Sequence, residues 1–217
     1  SAFNLGSVSK QFFTMMIMIL KEQGKLKYDD PVQQYLPQFP YSNITIRQLM
    51  NHTSGLPEYF DIALGDMNLL DTLTNESMLA LLAVKKPDLV FQPGEQWQYS
   101  NTNYTTLASV LEKVSGTTAD AFFRQYIAGP LGMKDTYIYD LTMRSYPSSR
   151  VFGFEYQKGV PVLNDLVRFD GIVGDGNVYS TVEDLYIWDQ ALYKEKLVSK
   201  ATFEEAITSG KLNNGEL

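Results

Sequence analysis

The 217-residue chain has no cysteine and a single histidine, and its longest strongly apolar run, Phe12 to Leu20, holds nine residues with Thr14 among them. Without cysteine there is no disulfide framework and no thiolate chemistry, a composition that suits the cytoplasm and the cell envelope equally. The lone histidine, His52, excludes a histidine-rich zinc site, and any Ser-His-Asp triad would have to use that one residue. A nine-residue run with eight apolar residues, bracketed by Lys10 and Lys21, is too short to span a bilayer. The chain then runs on as Lys21-Glu22-Gln23-Gly24, an ordinary helix end, where a signal peptide would show a small-residue cleavage site. The nucleophile-elbow pattern Gly-x-Ser-x-Gly is missing, which weighs against an α/β-hydrolase. A net charge of −7 with scattered lysines and arginines provides no basic stripe, so nucleic acid is not an expected partner.

What is present is enough for a core: 44% of the residues are hydrophobic and 13% aromatic, fitting one large domain or two small ones. Periodicity and punctuation predict a mainly α, α+β chain. A buried helix is expected from Ser7 to Gln23, with short helices over Val32 to Leu36 and from a Thr45 cap to Asn51. His52-Thr53-Ser54-Gly55-Leu56-Pro57 reads as a loop, and the stretch from there to about Asn75 as irregular. Further helices are expected from Asn75 through Val84, Tyr104 to Val114, Ala119 to Ile127, from a Ser180/Glu183 capping box to Tyr193, and after a Ser199 cap. Thr136 to Tyr139 reads as a strand, Arg150 to Gln157 with Val160 to Leu163 as a hairpin, and Gly171 to Gly176 as a glycine-rich loop.

Ser7 and Lys10 form the one Ser-x-x-Lys in the chain. On a helix the two side chains share a face one turn apart. A serine hydroxyl needs a base, and a lysine amine can serve when burial or nearby charge favours its neutral form. The apolar residues that follow would bury Lys10, which makes it costly unless it has a task. Taken alone, however, these residues also fit an ordinary helix start, with Ser7 as the N-cap and Lys10 in solvent. Tyr99-Ser100-Asn101, delivered by the Pro93-Gly94 turn, adds a phenol and an amide. A phenol beside an ammonium is a plausible base for the serine, and an asparagine amide can orient a lysine or a substrate carbonyl.

Eight segments in order carry a resemblance: Phe3-x-x-Gly6-Ser7-Val8-Ser9-Lys10, Gly24-Lys25-Leu26-x-x-Asp29-Asp30-Pro31-Val32, Tyr35-Leu36-Pro37, Ile44-Thr45-Ile46-Arg47-Gln48-Leu49, His52-Thr53-Ser54-Gly55-Leu56-Pro57, Phe91-x-Pro93-Gly94, Tyr99-Ser100-Asn101 and Pro130-Leu131-Gly132-Met133. Together they resemble the serine β-lactamase-related hydrolases, the group of class C β-lactamases, D-Ala-D-Ala carboxypeptidases and esterases. The likeness is dense over residues 3 to 136 and weaker at Gly174-Asp175-Gly176 through Asp184. It implies Ser7 as the acylated nucleophile, Lys10 as its proton partner, Tyr99 as the base of the second motif and Asn101 as that motif's substrate-binding amide. It also implies that the Ser7 N–H is one oxyanion donor, and that His52 and Ser54 are structural. No cofactor is assigned, and the expected partner is a small-molecule or short-peptide substrate: a β-lactam, a D-amino-acid peptide or a small ester. The resemblance favours a bacterial periplasmic, envelope or exported location.

The family's third motif, Lys-Thr-Gly or His-x-Gly on a strand, has no counterpart in this sequence. The expectation is therefore a single domain over 1–217, truncated at both ends: the helical region of a β-lactamase/transpeptidase-like fold with most of its antiparallel sheet missing, and weak or inactive alone. Its first helix should then expose an apolar side and favour self-association. The alternative is a catalytically silent peptide- or peptidoglycan-binding protein on the same scaffold.

Overall fold

The computed structural model describes residues 1–64, 73–141, 143, 147–165 and 169–216. The chain opens with a two-residue strand, β1 (Phe3–Asn4), turns at Gly6 and enters a 3-10 turn, Gly6–Ser9. That turn runs directly into α1 (Lys10–Glu22), which stops before Gly24 at φ +70°. After a 3-10 turn at Val32–Gln34 come α2 (Ile46–Met50), α3 (Tyr59–Leu64), α4 (Asn75–Lys85), α5 (Asn101–Ser115) and α6 (Ala119–Phe123). α6 widens into a π-helical stretch, Arg124–Ala128, and ends in α7 (Gly129–Leu131). Then follow β2 (Tyr137–Ile138), β3 (Phe154–Gln157), β4 (Val160–Leu163), β5 (Val178–Ser180), α8 (Val182–Leu192) and α9 (Lys200–Ile207).

Two of the predicted starts are capped as expected, by Thr45 on α2 with a full capping box and by Ser199 on α9, and Thr118 caps α6. The capping box assigned to Ser180 and Glu183 is corrected: Thr181 is the N-cap of α8, accepting from the Asp184 N–H. Ser180 belongs instead to β5, where its hydroxyl lies 2.7 Å from that of Thr136. The stretch expected to be irregular contains α3, and residues 65–72 of it lie outside the described residues.

β5 is the centre of a three-stranded antiparallel sheet, β1-β5-β2, pairing Phe3 with Ser180 and Tyr137 with Tyr179. β3 and β4 form a separate two-stranded hairpin. The sheet positions the start of α1. The Leu5 N–H donates to the Val178 carbonyl, and the Val178 N–H donates to Ser9 Oγ, so the turn carrying Ser7 is tied to β5 on both sides.

α1 is the axis of the core, and all of Phe12, Phe13, Met15, Met16, Ile17, Met18, Ile19 and Leu20 are buried. Phe12 meets Phe123 of α6 edge-on at 5.6 Å and lies 4.4 Å from the Trp188 ring of α8. Each such side chain contributes about 1.5–3 kcal/mol by leaving water. The expected exposed apolar side of this helix is thus not found, and self-association through it loses its basis. The physical reason is that α5, α6 and α8 cover the helix within the chain itself, with Leu107 and Leu111 of α5 fully buried in the same cluster. Among the described residues, no helix is long and apolar enough to cross a membrane.

Candidate active site

Ser7, Lys10, Tyr99 and Asn101 converge at the N-terminal end of α1. Ser7 Oγ lies 2.7 Å from Tyr99 Oη. Lys10 donates to Ser7 Oγ at 3.2 Å, to Asn101 Oδ1 at 2.9 Å and to the Asp175 carbonyl at 2.7 Å. Its ammonium also sits 4.9 Å from the centre of the Tyr99 ring and 5.6 Å from that of Tyr104. Lys10 is only 7% exposed, so it is not in solvent, and Ser7 makes no capping hydrogen bond to the helix. Three acceptors match the three donors of an ammonium, which is what a buried lysine requires. Ser7 itself is exposed and Tyr99 is 41% exposed, so the Ser7–Tyr99 edge of the cluster faces solvent.

Each partner arrives from a different part of the chain, and each is fixed locally. Tyr99 is held from beneath by His52, whose ring stacks on it at 4.5 Å and 30°. His52 Nδ1 accepts from the Ser100 N–H at 3.3 Å and lies 3.1 Å from Asn103 Nδ2. A backbone N–H can only donate, so Nδ1 is the unprotonated nitrogen of a neutral ring. Burial, with the Lys10 charge adding to it, lowers the His52 pKa to about 4. Ser54 donates to Asn103 Oδ1 and accepts from the Leu56 N–H. The loop around His52 is also laced to the segment leading to Tyr99, through Gln98 N–H to the His52 carbonyl and Gly94 N–H to the Thr53 carbonyl.

The glycine-rich loop delivers the Asp175 carbonyl. Gly174, at φ +114°, packs so closely on α5 that a Cβ there would stand 2.2 Å from the Tyr104 carbonyl oxygen. Only glycine allows that approach. Asn75 bonds the Thr105 and Val173 carbonyls and the Val173 N–H, and Asn177 bonds the Asp170 and Ile172 carbonyls, so the loop is pinned at both ends. Burial raises the Asp175 carboxyl to about 6, against the pull of Lys10 and of the Tyr59 hydroxyl that donates to it at 2.9 Å.

Glu58, Tyr59, Asn103 and Tyr104 have no site role in the sequence reading, and Asp175 enters it only through the glycine-rich loop and a weak segment match. The available signal was adjacency: Glu58 and Tyr59 follow the His52 loop directly, and Gly174 and Gly176 flank Asp175. A cleft of about 250 Å³ opens beside Ser7, lined among others by Asn4, Phe60, Asn101, Phe169 and Gly176. A larger cavity of about 720 Å³, with Tyr104, Met15 and Met18 in its wall, does not include Ser7. Among the described residues, no group of three or more His, Cys, Asp and Glu could hold a metal.

A helical core built around a Ser-x-x-Lys helix and flanked by small antiparallel sheets defines the class of β-lactamase-like folds. The chain belongs to the Beta-lactamase family, whose sequence pattern matches residues 1–215. It is 38% identical to penicillin-binding protein 4* of Bacillus subtilis over 100% of this chain and 50% of that protein. It is 31% identical to the D-alanyl-D-alanine-carboxypeptidase/endopeptidase AmpH of Escherichia coli over 88% of this chain and 48% of the relative. Among solved structures, a penicillin-binding protein from Bacillus halodurans superposes with a TM-score of 0.84 at 28% identity, covering 96% of this chain and 64% of the other. The chain spans about half the length of these curated relatives.

Proposed function

We propose that this chain carries the acylating centre of a serine hydrolase, with Ser7 as nucleophile, Lys10 and Tyr99 as its proton relay and Asn101 as a substrate-binding amide. The observation that carries this reading is the contact of Ser7 Oγ with both Tyr99 Oη, at 2.7 Å, and a buried Lys10 ammonium, at 3.2 Å. Ser7 Oγ attacks the carbonyl carbon of an amide, lactam or ester, and its proton passes through Tyr99 Oη, 2.7 Å away, to a Lys10–Tyr99 pair that has one proton fewer than its full complement. The same proton then goes to the departing nitrogen or oxygen as the C–N or C–O bond breaks. Water resolves the acyl-Ser7 ester in a second step, using the same relay to lose its proton. The Ser7 N–H serves as one oxyanion donor, a type of group whose loss costs about 10²–10³ in rate elsewhere.

Phe60 and Phe169, whose rings meet edge-on at 4.6 Å beside the cleft, suit an apolar group next to the scissile carbonyl. The relatives named as penicillin-binding proteins and as a D-alanyl-D-alanine-carboxypeptidase support a D-amino-acid peptide or β-lactam as the substrate class. Small esters remain chemically competent with the same nucleophile. A family domain extending beyond 1–217, with a second oxyanion donor on a strand outside it, is part of the proposal; the parent protein's activity rests on it.

The test is mass spectrometry after incubation with a fluorophosphonate or an activated ester. One adduct is expected on Ser7, absent in Ser7→Ala. A parent protein that never labels would refute the reading.

A further inference from the structure

The Lys10 ammonium has two acceptors besides Ser7, and both trace back to two consecutive residues at the start of α3. Glu58 Oε2 accepts from the Asn101 N–H at 2.9 Å and from Asn101 Nδ2 at 3.1 Å, while its other oxygen accepts from the Tyr59 N–H at 3.1 Å. With Nδ2 committed to Glu58, the Asn101 amide can only turn Oδ1 toward Lys10, and the two meet at 2.9 Å. The flipped amide would set an NH2 donor against an ammonium donor, a repulsive pairing. Tyr59, only 1% exposed and stacked on Phe60 at 4.2 Å, donates its hydroxyl to Asp175 Oδ2 at 2.9 Å. The backbone carbonyl of that same Asp175 is the second Lys10 acceptor, at 2.7 Å. Both of these contacts are shorter than the 3.2 Å from Lys10 to Ser7.

We propose that Glu58 and Tyr59 are positioning residues that hold the Lys10 ammonium against Ser7, Glu58 by fixing the Asn101 amide and Tyr59 by anchoring the Asp175 loop. The inference rests on the acylating role proposed for Ser7. It adds to that role a clamp that touches neither the nucleophile nor the substrate carbonyl. Burial raises the Glu58 carboxyl above the usual carboxylate range, and the Asn101 hydrogen bonds and the Lys10 charge pull it back, so the Glu58 charge reports on the clamp itself. The titratable groups facing this cluster are Lys10, Tyr99, Tyr104, His52, Glu58, Tyr59 and Asp175.

The experiment measures the rate of Ser7 labelling by a fluorophosphonate as a function of reagent concentration in the full parent protein. Glu58→Ala is expected to lower the maximal labelling rate about 10- to 100-fold, since small misplacements of reacting groups cost that much. The half-saturating concentration should move less than the maximal rate, its change coming through the Asn101 amide that Glu58 holds. Glu58→Gln, whose carbonyl can still receive the Asn101 donors, should recover most of the rate. Tyr59→Phe, which keeps the stacked ring and loses only the hydroxyl, should also slow labelling, and it serves if Glu58→Ala does not fold. Normal labelling in both Glu58→Ala and Tyr59→Phe would overturn the clamp and leave the nucleophile assignment standing. If wild-type protein does not label, the nucleophile reading fails and the clamp is judged by carbon-13 carboxyl NMR alone. There the Glu58 midpoint should rise in Asn101→Ala, which removes the side-chain donor at 3.1 Å that holds it down, and an unchanged midpoint overturns the proposal.

Discussion

His52→Asn isolates what the one histidine does beneath Tyr99. His52 sits at φ +58°, in the left-handed region that asparagine tolerates better than other replacements, so the backbone turn is kept. What is lost is the ring stacked on Tyr99 and the acceptor shared by Ser100 N–H and Asn103 Nδ2. At pH 7 the stack contributes about 0.5–1.5 kcal/mol and the orphaned donors cost about 1–3 kcal/mol, so the variant should be less stable by about 2–4 kcal/mol. The gap should then depend on pH with a fixed sign. The native His52 pKa is lowered from 6.5 to about 4 by burial, so between those values the unfolded chain binds a proton that the folded one does not. Wild-type stability from this group is therefore full above pH 6.5 and is lost as pH falls toward 4. At about 1.4 kcal/mol per unit the loss approaches 3 kcal/mol, and the variant, having no imidazole, does not suffer it. Asp175, raised to about 6 by burial, runs the opposite way, its contribution lost as pH rises. It is present in both proteins and drops out of the difference. Urea unfolding followed by far-ultraviolet circular dichroism at pH 7, 6, 5 and 4 should show the two proteins converging. A gap that stays constant over this range would mean that His52 is not held neutral, and the account of the Tyr99 support would be wrong.

Gly174→Ala would force a Cβ to within 2.2 Å of the Tyr104 carbonyl at a φ of +114°; it should destabilise by about 3 kcal/mol and slow Ser7 labelling as the Asp175 carbonyl withdraws from Lys10, both read in one preparation by thermal melting and mass spectrometry. Phe12→Ala empties the space between Phe123 and Trp188 and should cost about 3–5 kcal/mol, measured by chemical denaturation, while leaving the labelling rate of the folded fraction unchanged.

The helices that could be read from sequence are those with a local cause. α2 and α9 start where Thr45 and Ser199 offer a side-chain oxygen to the third N–H beyond, and α5 stops where Gly116 takes φ +72°. The strands β1 and β5 were not legible, because two or three residues carry no periodicity and their pairing joins Phe3 to Ser180 across the whole chain. Ser180 illustrates the same limit. Its sequence context reads as a cap, yet sheet pairing commits it to β5 and hands the cap to its neighbour Thr181.

By itself the sequence determined the chemical types of the candidate site, Ser7 and Lys10 one helical turn apart and Tyr99 with Asn101 two residues apart, because helix geometry and a proline-glycine turn act over a few residues. It also determined that α1 must be buried, since a nine-residue run with eight apolar residues leaves no polar face. Only the tertiary structure decided what buries it: α5, α6 and α8 close over a side that sequence reasoning had left bare. It likewise decided which groups surround the Lys10 ammonium. Glu58, Tyr59 and the Asp175 carbonyl lie 48 to 165 positions away from it in sequence and are brought there by α3 and the glycine-rich loop. A desolvated ammonium donates to whichever oxygens the packing presents, and that choice is made by contacts no local pattern encodes.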